Sequence, residues 1–170
     1  MSEMELMYQN AKMFYEMQQY ETAYNLCEDL IKAGCIKAYT LKALIISEHQ
    51  EKESLDLLKK AYELGDEAAL FHLYVYEEDY DKAMDILYIA KPINIHEPLA
   101  VLMKTKNLKH LKPLLYAYSF EKLERNIEIF IVAFNGYEDE ETIDFLKNTL
   151  SLLEDIKKKT FFYVDEVVRK

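Results

Sequence analysis

The sequence has few of the residues that interrupt regular structure, with three glycines and three prolines in 170 residues. Strand-rich folds need more turns than this composition supplies, so we predict an all-α fold with long helices. Cysteine is also scarce. Cys27 and Cys35 bracket the end of one predicted helix, and because intracellular disulfides are uncommon, we predict two buried, unbridged thiols.

Long apolar runs are absent too. No segment approaches the roughly 18 apolar residues that would span a bilayer. The amino terminus carries Glu3 and Glu5 where a secretory signal would carry basic residues. We therefore expect a soluble, cytoplasmic protein with no membrane partner.

The positive charge needed to hold nucleic acid is missing from the first half of the chain. The net charge is −10, and residues 1–90 hold 8 Lys and Arg against 18 Asp and Glu. Residues 91–170 hold 13 of each. Because an acidic surface repels phosphate backbones, the first half favours basic or neutral partners and excludes nucleic acid.

Patterns typical of catalysis or cofactor binding are likewise absent. The glycines, at 34, 65 and 136, form no phosphate-binding loop. None of His49, His72, His96 and His110 has a second histidine or a cysteine at the spacing that pairs metal ligands on one helical face. The acidic segment 77–81 lacks the central glycine of a calcium loop. We predict no enzymatic activity, no metal and no cofactor.

What the sequence does contain is a phrase that occurs twice. The segment 19–23, QYETA, returns 60 residues later as 79–83, DYDKA, and each copy precedes an apolar-periodic helix. Between them, Gly34 and Gly65 each close a helical segment and lie 31 residues apart. Repetition at about 30 residues is typical of stacked helical repeats, in which no unit buries its apolar face alone.

Helical periodicity resolves the first half into three predicted hairpins, with Asp66 as the N-cap of the third pair and Pro92 as the end of the repeats. The predicted helices are Met4–Gln18, Tyr20–Ala33, Lys37–Glu48, Glu51–Leu64, Glu67–Glu77 and Tyr80–Ala90.

These hairpins resemble tetratricopeptide repeats over about residues 4–90. The third unit places Phe71 where the family has glycine or alanine, and the second unit has Lys52 for the family tyrosine and Leu55 or Ser54 for the small residue. The residues that carry the resemblance are Met7, Ala11, Phe14, Tyr20, Ala23, Cys27 and Leu30 in the first unit, Ala43 in the second, and Tyr74, Tyr80, Ala83, Leu87 and Ala90 in the third.

In the resembled family, the first helix of each hairpin faces a concave groove that holds a partner peptide. Carried over by position, the resemblance implies that this groove is lined by Tyr8, Gln9, Lys12, Tyr15, Lys37, Thr40, Leu44, His72 and Tyr76. Some family members grip the terminal carboxylate of a peptide with a set of lysines and asparagines, for which Lys12 is the one clear candidate here. The 14 tyrosines fit both a packing role and a role as groove anchors.

Beyond Pro92 the repeat becomes degenerate. We predict helices over 97–105, 107–118 with a kink or restart at Pro113, 120–134, and 139–168 if the last is unbroken. The last carries an apolar stripe that Lys157 interrupts, and it either caps the repeats or pairs with a copy of itself. The segment between Pro98 and Phe120 contains no acidic residue. We predict one side of its second helix to carry Lys106, Lys109 and Lys112, opposite a side with Leu108, Leu111 and Leu115. The lysine side is either a solvated face or a patch for an acidic partner.

We therefore predict a single domain, 1–170: a right-handed superhelix of three tetratricopeptide-like hairpins in 4–92, followed by a degenerate repeat and C-terminal helices in 93–170. The predicted function is a scaffold or adaptor that binds a partner protein or peptide in a concave groove. One alternative is a structural protein that self-assembles as a homodimer through the C-terminal helix. Another is a small acidic chaperone for one client protein.

Overall fold

The computed structural model describes residues 1–137 and 139–168, with side chains as far as residue 160. These residues form ten α-helices and no strand, which confirms the predicted all-α class. Short 3-10 turns at Ile86–Tyr88 and Leu108–His110 complete the regular structure. The helices are α1 Glu3–Glu16, α2 Tyr20–Lys32, α3 Lys37–Ile46, α4 Glu51–Glu63, α5 Ala69–Tyr76, α6 Tyr80–Asp85, α7 His96–Thr105, α8 Leu111–Ala117, α9 Phe120–Phe134 and α10 Glu140–Val168.

The chain divides into two compact units, Met1–Asn94 and Ile95–Lys170. The division lies two residues beyond Pro92, where the sequence repeat is predicted to end. In the first unit each helix packs against the next along the chain, from α1 to α6. In the second unit α10 packs against α9 and contacts α7.

The repeated phrase has a structural counterpart in how the helices end. Residues Gln18 and Glu78, at φ 60° and 58°, adopt the left-handed conformation directly before the two copies of the phrase. The amide of the next residue donates to the carbonyl five residues back, from Gln19 to Phe14 and from Asp79 to Tyr74, both at 2.9 Å. This Schellman arrangement satisfies carbonyl groups that a helix end would otherwise leave unpaired.

Gly34 and Gly65 end α2 and α4 in the same way, at φ 87° and 106°. The amides of Cys35 and Asp66 donate to Leu30 and Ala61, each at 2.9 Å. A Cβ placed on either glycine would meet nothing within 4 Å, so the requirement for glycine is conformational and not steric.

The left-handed residue is glycine at the ends of α2 and α4 but Gln18 and Glu78 at the two equivalent ends. Substitutions at these two kinds of helix end should therefore have opposite effects on stability. Replacing Gly34 with alanine is expected to cost about 1 kcal/mol of unfolding free energy, because a left-handed L-residue is strained. Replacing Gln18 with glycine is expected to leave stability unchanged or to raise it by up to about 1 kcal/mol, since it removes the same strain. Urea titrations followed by circular dichroism measure both, and a more stable Gly34→Ala protein would contradict the account.

Small residues at the hairpin interfaces let the helices of the first unit approach closely. Ala11, Ala23, Ala43 and Ala83 are fully buried. Ser54 is buried as well, and its hydroxyl donates to the Ala43 carbonyl at 2.8 Å. Ser54, and not Leu55, is therefore the small residue of the second hairpin.

Two core clusters occupy the first unit. The first joins α1, α2 and α3, and both cysteines lie in it as unbridged, buried thiols, as predicted. Burial raises the pKa of the Cys27 thiol to about 12, so it stays protonated at neutral pH. The second cluster joins α3, α4 and α5. The fully buried members of the two clusters are Ala11, Cys27, Leu30, Ala38, Leu41, Ala43, Ala61 and Ala69.

Two predictions about the third hairpin are wrong in detail. Asp66 does not cap α5, because its carboxylate accepts the hydroxyl of Thr40 at 2.6 Å and the helix begins three residues later, at Ala69. The predicted helix Tyr80–Ala90 changes from α-helix to a 3-10 turn at Ile86.

The prediction that three lysines share one side of a helix over 107–118 is also wrong. Lys106 takes a left-handed conformation at the end of α7, and Asn107 is extended. Helix α8 begins only at Leu111, so Leu108 lies outside it and is exposed. Pro113 thus falls in the first turn, where its missing N–H costs no helical hydrogen bond.

The last helix is continuous from Glu140 to Val168, which at 1.5 Å per residue gives about 44 Å. Its predicted stripe is buried at Ile143, Leu146 and Leu153. Lys157, which interrupts the stripe, lies 3.7 Å from the carboxylate of Glu124 on α9. The lysine thus continues the contact with α9 as an ion pair. Val164 and Val167 of the stripe lie outside the described side chains.

Candidate partner-binding surface

Two cavities open in the first unit, both beside helices that begin a hairpin. The first cavity, of about 390 Å³, lies between the first turns of α1 and the start of α3, and its lining includes Met4, Tyr8, Gln9, Ile36 and Lys37. The second cavity, of about 270 Å³, lies between the end of α3, the start of α4 and α5, and its lining includes Leu44, Glu51, Leu55, His72 and Tyr76. Helix α3 contributes to both.

Local signals in the sequence build the first cavity. Ser2 caps α1, since its hydroxyl oxygen accepts the amide of Glu5 at 3.1 Å. On the other side, the left-handed Gly34 ends α2 and turns the chain toward Ile36 and Lys37 at the start of α3. The cavity is therefore framed by one helix start on each side.

The first cavity combines apolar walls with charges of both signs. Met4 and Ile36 supply apolar surface, and Glu5 and Lys37 are the charged residues of the lining. The ring of Tyr8 packs against the first core cluster, and the Lys12 ammonium lies 6.0 Å from its centroid. This distance is at the limit of a cation–π contact.

The second cavity holds three titratable groups. The Tyr76 hydroxyl is hydrogen-bonded to the Glu51 carboxylate, which raises the pKa of Tyr76. Burial lowers the pKa of His72 to about 4, so its imidazole is neutral at pH 7. The lining of the second cavity thus contains one carboxylate, Glu51, together with four aliphatic side chains.

The serines of this cavity serve the fold. The Ser47 hydroxyl donates to the Leu44 carbonyl at 2.9 Å, and the Ser54 hydroxyl donates to the Ala43 carbonyl. A nucleophilic serine would need its hydroxyl directed at a base. These two hydroxyls are instead directed at backbone carbonyls of α3.

Six of the nine predicted groove residues line these two cavities: Tyr8, Gln9 and Lys37 the first, and Leu44, His72 and Tyr76 the second. The other three, Lys12, Tyr15 and Thr40, line neither. Tyr15 packs against the first core cluster, with its ring centroid 5.9 Å from that of Tyr20. Thr40 is 1% exposed and donates its hydroxyl to Asp66, so we correct its assignment from groove to core.

A further contact, between α2 and α3, was not predicted from the sequence. The Lys42 ammonium is hydrogen-bonded to the Glu28 carboxylate and lies 4.9 Å from the ring centroid of Tyr24. Burial opposes its charge, but the hydrogen bonds to Glu28 and Tyr24 outweigh burial and raise the pKa of Lys42. Glu28 and Tyr24 lie 14 or more positions from Lys42 along the chain, so no local pattern indicates the contact.

Among the residues that the structure describes, no group of three or more His, Cys, Asp or Glu side chains is placed to hold a metal ion. Within the same residues, no helix is both long and apolar enough to cross a membrane. Comparisons with protein-family models, with curated proteins and with solved structures gave no match to this chain.

Proposed function

We propose that this chain is a non-enzymatic adaptor whose first unit binds a peptide or helix of a partner protein. The binding surface runs along the first helices of the three hairpins, α1, α3 and α5, in a right-handed superhelix like that of tetratricopeptide repeats. The observation that carries the proposal is the grouping of six predicted groove residues in two neighbouring cavities that share α3.

The lining of the cavities supports a protein partner. Each cavity has apolar walls and an aromatic residue, Tyr8 in the first and Tyr76 in the second. Tyrosine is frequent among the residues that dominate binding energy in protein interfaces. Because helices α1, α3 and α5 are ordered by their own core contacts, little ordering entropy is lost on this side of the interface.

The charge of the first half supports a basic or neutral partner segment. Its excess of ten acidic residues, 18 against 8, includes Glu5 and Glu51 in the two linings. An acidic surface attracts basic segments over distances of about a Debye length, roughly 8 Å at physiological ionic strength. Binding should therefore weaken as salt is raised.

The test is an affinity capture from native lysate with mass-spectrometric identification, using the intact protein and two matched variants. Tyr76→Ala removes a 52% exposed ring from the second cavity, whereas Tyr62→Ala removes a 46% exposed ring that lines neither cavity. We expect Tyr76→Ala to weaken the captured complex about tenfold or more, as loss of an interface anchor does. Both variants should melt within a few degrees of the parent protein.

The same experiment distinguishes the chaperone. One stoichiometric client that aggregates when the chain is withheld would support it, whereas several partners sharing a basic segment would support the adaptor. Equal capture by Tyr76→Ala and Tyr62→Ala would contradict the second cavity as a binding surface.

Self-association is a second candidate function, and a separate surface favours it. Leu6 and Met13 lie on the side of α1 opposite the buried Ala11, Met17 follows directly after the helix, and all three are about half exposed. The C-terminal stripe is less suited to this role, since Ile143, Leu146 and Leu153 are buried in the second unit. Light scattering at varied salt is the measurement. A salt-insensitive dimer that Met13→Glu dissociates would support association through α1, and a salt-sensitive one would indicate the charged halves.

A further inference from the structure

The turn that follows α9 contains an asparagine with a glycine directly after it. Helix α9 ends at Phe134, and Asn135 and Gly136 come next along the chain. The sequence has seven asparagines, and at the other six the next residue is alanine, leucine, isoleucine or threonine, each of which carries a Cβ. Asparagine is a chemically labile residue, and its side chain can react with the backbone nitrogen that follows it. The residue after each asparagine therefore decides how readily it reacts.

The turn has the backbone geometry of a type II β-turn. Asn135 has φ −60° and ψ 113°, and Gly136 has φ 94°. The Tyr137 amide donates to the Phe134 carbonyl at 2.9 Å and closes the turn. A type II turn needs a positive φ at its third residue, which glycine adopts without strain. The conformation of the turn thus places a residue without a Cβ directly after Asn135.

This turn is open to water and loosely packed. Asn135 and Gly136 are exposed, and Tyr137 is 89% exposed. A Cβ placed on Gly136 would meet nothing within 4 Å. Opening the hydrogen bond between Tyr137 and Phe134 costs little in such a place, because water can replace it. The backbone at Asn135 can therefore rotate away from its observed ψ without disturbing the core.

We propose that Asn135 is a site of spontaneous deamidation through a cyclic imide. Hydroxide removes the Gly136 amide proton, and the nitrogen attacks Cγ of Asn135 once ψ has rotated to bring the two atoms together. The bond from Cγ to the side-chain nitrogen breaks, and that nitrogen takes a proton from water and leaves as ammonia. The absence of a Cβ on Gly136 removes the main steric obstacle to closing the five-membered ring.

Water then opens the imide at one of its two carbonyl groups. Opening at the side-chain carbonyl gives an aspartyl residue, and opening at the backbone carbonyl gives an isoaspartyl residue, whose main chain is one methylene longer. In both cases one amide and one water become one carboxylate and one ammonium ion, with no oxidation or reduction. The isoaspartyl product enlarges the ring that the hydrogen bond from Tyr137 to Phe134 closes.

The modification would change the connection between two helices that pack against each other, α9 and α10. It adds one negative charge directly after α9, where the end of the helix dipole is also negative. The site lies in the second unit and is independent of the partner-binding surface proposed above.

Three other asparagines separate the effect of exposure from that of the turn. Asn10, Asn25 and Asn148 are exposed but lie inside α1, α2 and α10. There the helical hydrogen bonds hold ψ in place, and the next residue carries a Cβ. If exposure alone controlled the reaction, these three would react as fast as Asn135.

The test is incubation of the full-length protein at pH 8 and at pH 6 in water enriched in heavy oxygen, followed by peptide mapping with mass spectrometry. A parallel sample is unfolded in urea. Each deamidation during the incubation inserts a heavy oxygen, which distinguishes it from reactions during digestion. We expect Asn135 to react at least about tenfold faster than any of the three helical asparagines in the folded protein, which corresponds to about 1.4 kcal/mol of activation free energy.

The rate at Asn135 should rise with pH, because hydroxide generates the attacking nitrogen. An isoaspartyl methyltransferase should label the peptide that contains Asn135.

Three variants keep the test sharp. Asn135→Gln keeps a side-chain amide but requires a six-membered ring, so the reaction should be lost on the same timescale. Gly136→Ala adds a Cβ beside the attacking nitrogen and should slow the reaction. Asn148→Gln changes an exposed asparagine of α10 and should leave the rate at Asn135 unchanged.

Any of three results would overturn the proposal. Equal rates at Asn135 and at the exposed helical asparagines would mean that the turn has no special reactivity. Reaction of Asn135 in the unfolded sample but not in the folded one would mean that the turn prevents the rotation of ψ. An unchanged rate in Gly136→Ala would contradict the role given to the glycine.

Discussion

Replacing Phe71 with alanine is expected to lower the free energy of unfolding by about 3 to 5 kcal/mol. Phe71 is 1% exposed, and its ring meets the neighbouring His72 ring edge-on, with centroids 5.3 Å apart. Truncation would leave a cavity that the surrounding helices fill only in part. Urea titration followed by circular dichroism measures the change, with Tyr62→Ala as an exposed aromatic control that should cost under about 1 kcal/mol.

This result would also test the register of the third hairpin. Phe71 lies 60 residues after Ala11, at the position where tetratricopeptide repeats have a small residue. If a small residue suits that position here as well, Phe71→Ala would be tolerated or even stabilising. A loss of several kcal/mol would instead mean that the third hairpin has adapted its packing to the large ring.

Tryptophan in place of Ala23 or Ala83 is expected to destabilise the protein by about 1 to 3 kcal/mol or more. Both alanines are fully buried, and they occupy the same place in the two copies of the repeated phrase. An indole there would force the paired helices apart. The matched control is Asn25→Trp, which places the same side chain on the exposed side of α2 and should cost little.

The two tryptophans also serve as probes, because the parent chain has none. Their fluorescence should report a solvated indole in Ala23→Trp and Ala83→Trp if the hairpins open. Near-zero changes in stability at both positions would contradict the assignment of the repeats.

The sequence predicts the helices of the first half well because helix formation and helix ends are local. Gly34 and Gly65 end α2 and α4 through backbone bonds that span five residues. The spacing of apolar residues by three and four positions and the absence of internal proline then determine where the helices lie. Lys157 shows the limit of that reasoning, because it interrupts the apolar pattern of α10 but keeps its contact with α9 as an ion pair.

The candidate surface was predictable in part, and Thr40 explains why the rest was not. The resemblance to tetratricopeptide repeats placed Lys37, Thr40 and Leu44 in the predicted groove, and at helical spacing all three share one side of α3. Asp66, 26 residues later, accepts a hydrogen bond from the Thr40 hydroxyl, and Thr40 is buried. Lys37 and Leu44 lie in the cavity linings. The spacing of a helix gives the side on which a residue lies, and the neighbouring element decides whether that side is open.

The sequence by itself determined the all-α class, the helix ends at Gly34 and Gly65, and the small residues Ala11, Ala23, Ala43 and Ala83, since each depends on residues within a few positions. Only the tertiary structure decided that Asp66 accepts a hydrogen bond from Thr40 instead of capping α5, and that Lys42 is hydrogen-bonded to Glu28. It also decided that Lys106 and Phe130 line the same cavity. These contacts join groups 14 or more residues apart. Their partners are selected by packing, for which a single sequence carries no local signal.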